Sequence, residues 1–392
     1  MLVSAEAKRP CHADVDGGGE AGDDRLSALP DDLLRAILSR LKARQAVQTC
    51  ALAARWRHLW RAVPCLDINE REFYTRYNPE YFTTNLLRGH EFTLLEDFRL
   101  HGATVTIGDH WLHRDIGRDT WPRGLRRMHL SRVELQLTDL ASHISSRCPA
   151  LEEVRLEKCW FLLTSNIKIA SSSLKKLVVH GEYIMDEFED FKLVIDAPAL
   201  VSLRLGEELH NIVDPTEPHN VPSLVDASFH LCWIQEDVKH QLGILGALSN
   251  VTTLHWSNFA VTLLFNESHE NLPLLKFKNL RTLFLDVCRI SDDFLGLQQY
   301  LRNSPNLQKL TLRHCKVLDF QPTKEVMERH QSYSKDLAHF KCKKLRLCEI
   351  IYRDSDPSVH LLVKFLVGMS RNLPSNKIEL TSLKKRKRKS KV

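Results

Sequence analysis

The chain has 392 residues, 43% hydrophobic and 27% charged, with a formal net charge of +6. This composition is typical of globular proteins, and the length allows more than one domain. Its apolar runs are shorter than the roughly 20 residues of a membrane-spanning helix, and residues 1–23 lack the apolar stretch of a secretion signal. We therefore expect neither a membrane protein nor a secreted one.

The first predicted element is an amphipathic helix in LPDDLLRAILSRL, residues 29–41. It follows a Gly-, Ala- and Asp-rich lead whose composition predicts disorder. Five large apolar side chains share one helical face, namely Leu33, Leu34, Ile37, Leu38 and Leu41. A second amphipathic helical region follows in AVQTCALAARWRHLW, residues 46–60. Together the two segments have more apolar surface than so small a unit can enclose, so we expect another protein surface to cover part of it.

A repeated pattern of the form L-x-x-(apolar)-x-(apolar) follows. Nine copies begin, at spacings of 23 to 30 residues, with Leu95, Leu125, Leu151, Leu174, Leu200, Leu224, Val251, Leu280 and Leu307. This period and pattern are typical of leucine-rich repeats. Each copy predicts a short strand, and segments such as DDFLGLQQYLRNSPNL predict a helix on the other side. Because neither element buries its apolar face alone, neighbouring units are expected to stack into a curved solenoid.

Three of the ten cysteines recur at one repeat position, eight residues after the first apolar residue. They are Cys159, Cys288 and Cys315. We expect them to turn inward as small buried side chains where each strand ends, although a metal or redox site is the alternative. No CxxC pair occurs, and without a secretion signal we expect the thiols to be reduced.

Strand parity predicts which repeat side chains face solvent. Offsets 0, 3 and 5 from the first apolar residue point into the core, so offsets 2, 4 and 6 face outward. Offset 4 reads Arg99, His129, Arg155, Val178, Arg204, Ser228, His255, Phe284 and Thr311.

The arginines of this column suit carboxylate or phosphate oxygens, and Phe284 offers an apolar anchor. We therefore predict that a target protein with an acidic or phosphorylated recognition segment binds at Arg99, His129, Arg155, Arg204, His255 and Phe284. In the alternative interpretation these arginines are solvated and partly neutralised by Asp97, Glu153 and Glu157.

The basic surplus comes from the C-terminal tail KKRKRKSK, residues 384–391. It contains seven of the 55 basic residues, and without them 48 basic residues face 49 acidic ones. Such a compact block predicts a nuclear-import signal and nuclear localisation. The signal would consist of Lys384, Lys385, Arg386, Lys387, Arg388 and Lys389. The alternative is a solvated, disordered terminus.

The segments DRLSALPDDLLRAILSRL, QAVQTCALAARWRHLW and VPCLDI resemble the F-box of plant F-box/leucine-rich-repeat proteins. Lys42 stands where that family often has Pro, and Ala53 and Ala54 stand where Leu-Ser is usual. Some members carry a C-terminal FBD domain, and KKLRLCEIIYRDSDPSVHLLVKFLV is similar to the strand, loop and helix of that module.

The resemblance implies an α/β fold in which an N-terminal helical F-box precedes a curved leucine-rich-repeat solenoid. The expected divisions are a disordered lead (1–23), the F-box (24–68), the repeats (69–340), an FBD-like module (341–383) and the basic tail (384–392). It also implies a substrate-recognition subunit of a cullin-RING ubiquitin ligase, with the F-box on a Skp-type adaptor and the repeats on the target protein. The expected adaptor-binding residues are Leu29, Pro30, Leu33, Leu34, Ile37, Val47 and Trp56.

The sequence contains no GxSxG, HExxH or Gly-rich phosphate loop, so we expect no enzyme activity and no cofactor. His110 and His113 stand one helical turn apart, but no further ligand follows at zinc spacing. Two other functions stay open. One is a nuclear scaffold or nucleic-acid-associated protein that uses the basic tail, although the tail lacks aromatic residues for base stacking. The other is a small-molecule receptor with a repeat-lined pocket.

Overall fold

The computed structural model is a mixed α/β protein. It describes residues 26, 28–73, 79–102, 106–107, 123–163, 165–184, 192–206, 219–230, 245–258, 276–292, 294–318, 344–353, 356–370 and 377–383. The α-helices of this part are α1 (Asp31–Leu38), α2 (Ala43–Gln48), α3 (Pro79–Gly89), α4 (Leu137–Arg147), α5 (Leu295–Arg302) and α6 (Ser358–Ser370). The 3-10 helices are Thr49–Ala51, Ala54–Arg57, Leu59–Ala62, Glu70–Glu72, Phe92–Leu94 and Leu245–Asn250.

The largest element is a parallel sheet whose strands follow one another in chain order. Across the described ranges its main path runs β1 (Cys65–Asn69), β2 (Asp97–His101), β4 (Arg127–Ser131), β6 (Glu153–Leu162), β8 (Lys176–Ile184), β10 (Ser202–Leu205), β11 (Asp226–His230), β12 (Thr253–Ser257), β13 (Thr282–Asp286), β15 (Lys309–Arg313), β17 (Leu347–Arg353) and β18 (Lys377–Leu383). The shorter strands are β3 (Thr106–Ile107), β5 (Glu134–Gln136), β7 (Ile167–Ala170), β9 (Leu193–Asp196), β14 (Arg289–Ser291) and β16 (Lys316–Leu318). They form the parallel pairs β3–β5, β5–β6, β7–β9 and β14–β16. The curvature expected of a solenoid stays a prediction.

Each of the nine predicted repeat strands begins two residues after its first apolar residue. In the copy that starts at Leu151, the core contains Leu151, Val154 and Leu156, at offsets 0, 3 and 5, while Glu153 and Arg155 lie partly exposed between them. The predicted helix in the segment after β14 is also present, as α5. The period-2 burial of these strands therefore fixes which side of the sheet faces solvent.

Two strands carry the same burial pattern but lie outside the nine predicted copies. Before β1 the pattern starts at Val63 and continues with Leu66 and Ile68, and before β17 it starts at Leu345 and continues with Cys348 and Ile350. The sheet therefore begins inside the segment assigned to the F-box and continues into the segment assigned to the FBD-like module.

Among the described residues, five repeats have a residue of left-handed conformation at offset 7, which follows the strand in four of them and forms a bulge within β6 in the fifth. This residue is Arg132, Lys158, Asn258, Val287 or His314, with φ between 52° and 57°. In four of the five repeats the next residue is described and is buried, namely Val133 and, as predicted, the three cysteines. Their Sγ atoms lie 3.4 to 3.7 Å from main-chain oxygens of the preceding repeat, namely those of Leu130, Trp256 and Leu285.

The second predicted helical region is not one helix. It comprises α2 and three 3-10 turns, because Ala53 has an extended backbone (φ −160°, ψ 165°) that ends the first turn before the next begins. Within the described residues, no helix is long and apolar enough to cross a membrane. His110, His113 and the basic residues 384–389 lie outside the described residues.

Substitution of Val287 tests whether the left-handed conformation at offset 7 is strained. A β-branched side chain is strained at positive φ, whereas Asn tolerates this conformation. We expect Val287→Asn to raise the free energy of unfolding by about 1 kcal/mol relative to Val225→Asn. Val225 is a matched control, since both valines are 41% exposed and Val225 does not have a positive φ. Urea denaturation of the three proteins measures the difference, and equal effects of both substitutions would show that residue 287 is unstrained.

Candidate protein-binding surfaces

The apolar stripe of α1 is divided between the core and the solvent. Leu34 and Leu38 are buried, whereas Leu33 and Ile37 expose 52% and 41% of their surface. Residues four apart lie one above the other on a helix, so these pairs form two neighbouring rows. The helix contacts the turn Leu59–Ala62. One row thus stabilises the fold, and the other is a surface that the chain itself leaves uncovered.

Arg55 holds the chain at the start of α1. Its Nη2 donates to the main-chain oxygen of Leu29 at 2.7 Å and to the carboxylate of Asp31 at 2.6 Å, and its Nε also donates to Asp31 at 3.0 Å. Pro30 precedes the helix as its N-cap residue. These bonds fix Leu29 and Pro30 next to the exposed row of Leu33 and Ile37, so the apolar surface is ordered before any partner binds.

The structure separates the seven predicted adaptor-binding residues into two groups. Pro30, Leu33 and Ile37 are exposed, and Leu29 and Val47 are half-buried. We call these five residues the helical surface, although Val47 lies on α2, which packs on β1 and on the turn Thr49–Ala51. Leu34 and Trp56, by contrast, are buried in the core. The prediction that these two contact a partner directly needs correction, because their side chains already pack inside the chain.

Several contacts join the helical region to β1 and to α3, the helix that follows β1 in the chain. Lys42 Nζ lies 2.7 Å from the carboxylate of Asp67 on β1. His90, after α3, donates through Nε2 to the main-chain oxygen of Val63 at 3.0 Å. Burial lowers the pKa of His90 to about 4, so the ring is neutral at pH 7. Trp60 packs on Gly89, where an added Cβ would lie only 2.7 Å from the indole. The helical region is therefore attached to the first strand of the sheet.

Parallel register aligns the predicted offset-4 column across the sheet. In the order of the strands, the row consists of Asp67, Arg99, His129, Arg155, Val178, Arg204, Ser228, His255, Phe284, Thr311, Glu349 and Glu379. Two residues depart from the predicted solvent exposure, since Val178 and Thr311 are buried. Val178 is a short side chain between two arginines of the row, and Thr311 donates to Glu349 at 3.2 Å.

Three strands near the start of the sheet line a cavity of about 240 Å³ that is open to solvent on the exposed face. Its polar lining comes from β2, β4 and β6, and consists of Asp97, Arg99, Arg127, His129, Glu153 and Arg155. We call it the arginine cavity. The structure thus brings Arg99, His129 and Arg155 together, as the column predicts. The structure adds Arg127, which lies at offset 2. Offsets 2 and 4 both face solvent, but the predicted column used offset 4 alone and therefore omitted Arg127.

The acids of the cavity are each shared by two cations. Asp97 is buried and accepts from Arg99 at 2.8 and 3.2 Å and from Arg127 at 3.0 Å. The Asp97 hydrogen bond is the main cause that raises the pKa of Arg99. Glu153 accepts from Arg155 at 2.5 Å and lies 3.3 Å from Lys176. These contacts support the alternative interpretation, in which the arginines are partly neutralised, but the cations still outnumber the acids.

Burial and ion pairing oppose one another at Glu153. Burial alone raises its pKa, but the hydrogen bond and charge of Arg155, together with the charge of Lys176, outweigh burial and lower it. The carboxylate is therefore ionised at pH 7, as is required for it to orient Arg155.

The other predicted target-binding residues lie elsewhere on the sheet. Arg204 is two strands beyond Arg155 and lies 3.8 Å from Asp226. His255 contacts the ring of Phe284, with centroids 4.5 Å apart, and burial lowers the pKa of His255. The guanidinium of Arg313 lies 5.1 Å from the centre of the Phe284 ring and pairs with Asp286. These residues form a second, more aromatic cluster.

Comparison with known proteins identifies the helical region. Residues 26–67 match the F-box domain. The chain therefore contains an F-box domain. Both rows of α1, the Arg55 bonds and the Lys42–Asp67 ion pair lie within this match, so the exposed row is part of the F-box surface.

The rest of the chain extends the similarity. It is 28% identical to the meiotic F-box protein MOF of Oryza sativa subsp. japonica, over 89% of this chain and 84% of that protein. An F-box/FBD/LRR-repeat protein of Arabidopsis thaliana is 25% identical over 75% of this chain and 77% of its own length. A second such Arabidopsis protein is 29% identical over 53% and 55%. The resemblance to plant F-box/leucine-rich-repeat proteins is confirmed.

Asp97 tests whether the cavity contributes to the stability of the fold. Asp97→Asn removes the buried charge that holds two guanidinium groups, so we expect the free energy of unfolding to fall by about 2 kcal/mol. Glu152→Gln is the matched control, because Glu152 also bridges two cations, Arg126 and Lys175, but is half-exposed. Urea denaturation should detect little change in the control, and an equally small change for Asp97→Asn would contradict a structural role for Asp97.

Proposed function

We propose that this protein is the substrate-recognition subunit of an SCF-type (cullin-RING) ubiquitin ligase. Its F-box binds a Skp-type adaptor, and through the adaptor a cullin, while the parallel sheet, which we interpret as a curved leucine-rich-repeat solenoid, binds the target protein. The chain then contributes proximity, because it places a target lysine near the charged conjugating enzyme. The F-box match and the names of the relatives support an adaptor role in ubiquitin ligases.

The observation that carries the proposal is the exposed row of Leu33 and Ile37 inside the F-box match. Two large apolar side chains on an ordered helix leave apolar surface in water, and covering it by a partner is favourable by about 25 cal/mol per Å². The Arg55 bonds to Leu29 and Asp31 fix this surface in advance, which reduces the entropy lost on binding.

The exposed sheet face supports target binding in a different way. Polar and charged side chains at offsets 2, 4 and 6 alternate with the buried ones, and parallel register aligns them in rows that an extended or folded partner can contact. The FBD-like module, with β17, α6 and β18, continues this sheet. In this proposal it belongs to the same target-binding body.

We expect Leu33→Ala combined with Ile37→Ala to weaken capture of a Skp-type adaptor by at least about tenfold, because the apolar area lost from two side chains at the interface would together cost more than about 1.4 kcal/mol. Folding stability should change little, since both side chains are already exposed in the free chain. Purified full-length variants on a biosensor with immobilised adaptor give the affinity.

Leu380→Ala is the control for this experiment. Leu380 is 51% exposed, which is close to the exposure of Leu33. It lies on β18, at the far end of the sheet path. It should leave adaptor capture unchanged. Wild-type affinity of the double variant would remove Leu33 and Ile37 from the adaptor interface. The double substitution Leu29→Ala and Pro30→Ala tests the start of the same surface.

We also propose that the basic block 384–389 directs nuclear import, since six consecutive cations form a compact block of positive charge. A fluorescent fusion that ends at Leu383 should lose nuclear accumulation and spread into the cytoplasm, whereas a fusion of the whole chain should accumulate in the nucleus. Microscopy of the two fusions decides between this proposal and a solvated terminus without a targeting role, for which both fusions would distribute alike.

A further inference from the structure

We propose that the arginine cavity binds a phosphorylated serine or threonine side chain of the target protein. This inference deepens the proposed function and rests on it, because it identifies the chemistry by which the sheet would recognise a protein to be ubiquitinated. It commits to one class of ligand at one place on the sheet, between β2 and β6.

The charge of the cavity favours a multiply charged anion. Three guanidinium groups line it against two carboxylates, and Lys176 adds a fourth cation on Glu153. Glu157, 3.9 Å from Arg155, offsets Lys176, so the arginines exceed the nearby carboxylates by one positive charge at pH 7. A phosphate monoester carries about −1.5 to −2 charges and three acceptor oxygens, so it offsets this surplus and offers more acceptor sites than a single carboxylate.

The geometry also suits a phosphate group. Neighbouring strands lie about 4.8 Å apart, so Arg99 on β2 and Arg155 on β6 begin roughly 10 Å apart and lie on either side of His129 on β4. Long side chains from both strands can reach one central anion from two directions. The cavity of about 240 Å³ is several times the roughly 30 Å³ of one water molecule, which leaves room for a tetrahedral group.

The donors are held in place before any ligand binds. Asp97 is buried and fixes Arg99 through two hydrogen bonds, which leaves part of each planar guanidinium exposed to the cavity. Arg127 donates to Asp97 through Nε. Among the described residues, His129 Nε2 has no hydrogen-bond partner although that atom is shielded from solvent, and the nearest acid, Glu157, is 3.6 Å away. Because this atom is shielded, the donors that a phosphate would reach are those of the three arginines.

The rest of the exposed face argues against nucleic acid or an anionic lipid surface as the ligand. Such polyanions need a continuous positive path that contacts several phosphates. Outside the cavity the described cations alternate with acids, as in Arg204 with Asp226, Arg313 with Asp286 and Lys309 with Glu349. A single local phosphate fits this distribution better than a chain of them.

The test uses the purified full-length protein and three immobilised random-sequence peptide pools that differ only at a fixed central residue, which is phosphoserine, serine or glutamate. We expect at least about tenfold stronger binding to the phosphoserine pool than to either of the others, since a phosphate has more negative charge and one more acceptor oxygen than a carboxylate. Free phosphoserine should compete for binding. Equal binding to all three pools would overturn the proposal.

Arg127 and Arg126 give a matched pair of variants. They are neighbours in sequence with side-chain exposures of 55% and 53%, but Arg127 lines the cavity and Arg126 pairs with Glu152 outside it. Arg127→Gln should lose about tenfold in affinity for the phosphoserine pool, and Arg126→Gln should lose less than about twofold. Asp97 keeps its bonds from Arg99 in the Arg127→Gln variant, which preserves the fold.

Equal losses in both variants would indicate non-specific attraction and overturn the site. Binding of an RNA oligonucleotide or of phosphoinositide vesicles that depends on Arg127, without phosphopeptide binding, would also overturn it and assign the cavity to another class of ligand. Adaptor binding is measured separately on the same preparations. A chain that binds the adaptor but no phosphopeptide refutes this inference alone, and the reverse result refutes only the proposed F-box function.

Discussion

The structure depends on the burial of the apolar residues at offsets 0, 3 and 5 of each repeat. In the parallel pairings of the main sheet path, the buried positions of one strand align with those of the next, as Leu130 aligns with Leu156 and Leu156 with Val179. A slip of one residue would turn these side chains to water and bury charged ones, so the hydrophobic effect fixes the register. Every property of the exposed face follows from that register, because it aligns residues far apart in sequence into rows.

The repeat strands were predictable because this constraint is written in the residue pattern. Nine strands begin where the leucines predict them. The strands after Val63 and Leu345 have the same burial pattern. Their spacings to the neighbouring copies are 32 residues (Val63 to Leu95) and 38 residues (Leu307 to Leu345), whereas the nine predicted copies are 23 to 30 residues apart. A search for a regular period therefore omits them. The left-handed residue at offset 7 was not predictable either, since Arg, Lys, Asn, Val and His occupy it and share no preference for positive φ.

The binding surfaces were predictable to a smaller extent. Periodicity indicates which face of a helix or strand a side chain lies on, but not whether that side chain is buried. The helical period assigns five apolar residues to one face of α1, but only packing against Leu59–Ala62 decides that Leu34 and Leu38 enter the core while Leu33 and Ile37 stay outside. In the same way, parity predicts that Arg99 and Arg155 face outward but not that Arg127 joins them, or that Arg204 pairs with Asp226 on the neighbouring strand. Those outcomes depend on side-chain reach and on which carboxylates are nearby.

The ion pair between Lys42 and Asp67 relates the two surfaces. Lys42 stands where the similar F-boxes often have Pro. Its ammonium binds Asp67, the first residue of the offset-4 row. Asp67 pairs in register with Arg99, so the F-box is joined to the sheet one strand from the arginine cavity. Because α2 also packs on β1, and the apolar residues of the helical region and of the sheet share one core, the helical surface and the cavity belong to one packed body. A target residue held in that cavity would therefore keep a defined distance from a bound adaptor. A defined distance is what a proximity mechanism requires, since the effective concentration of a target lysine depends on how tightly its position is restricted.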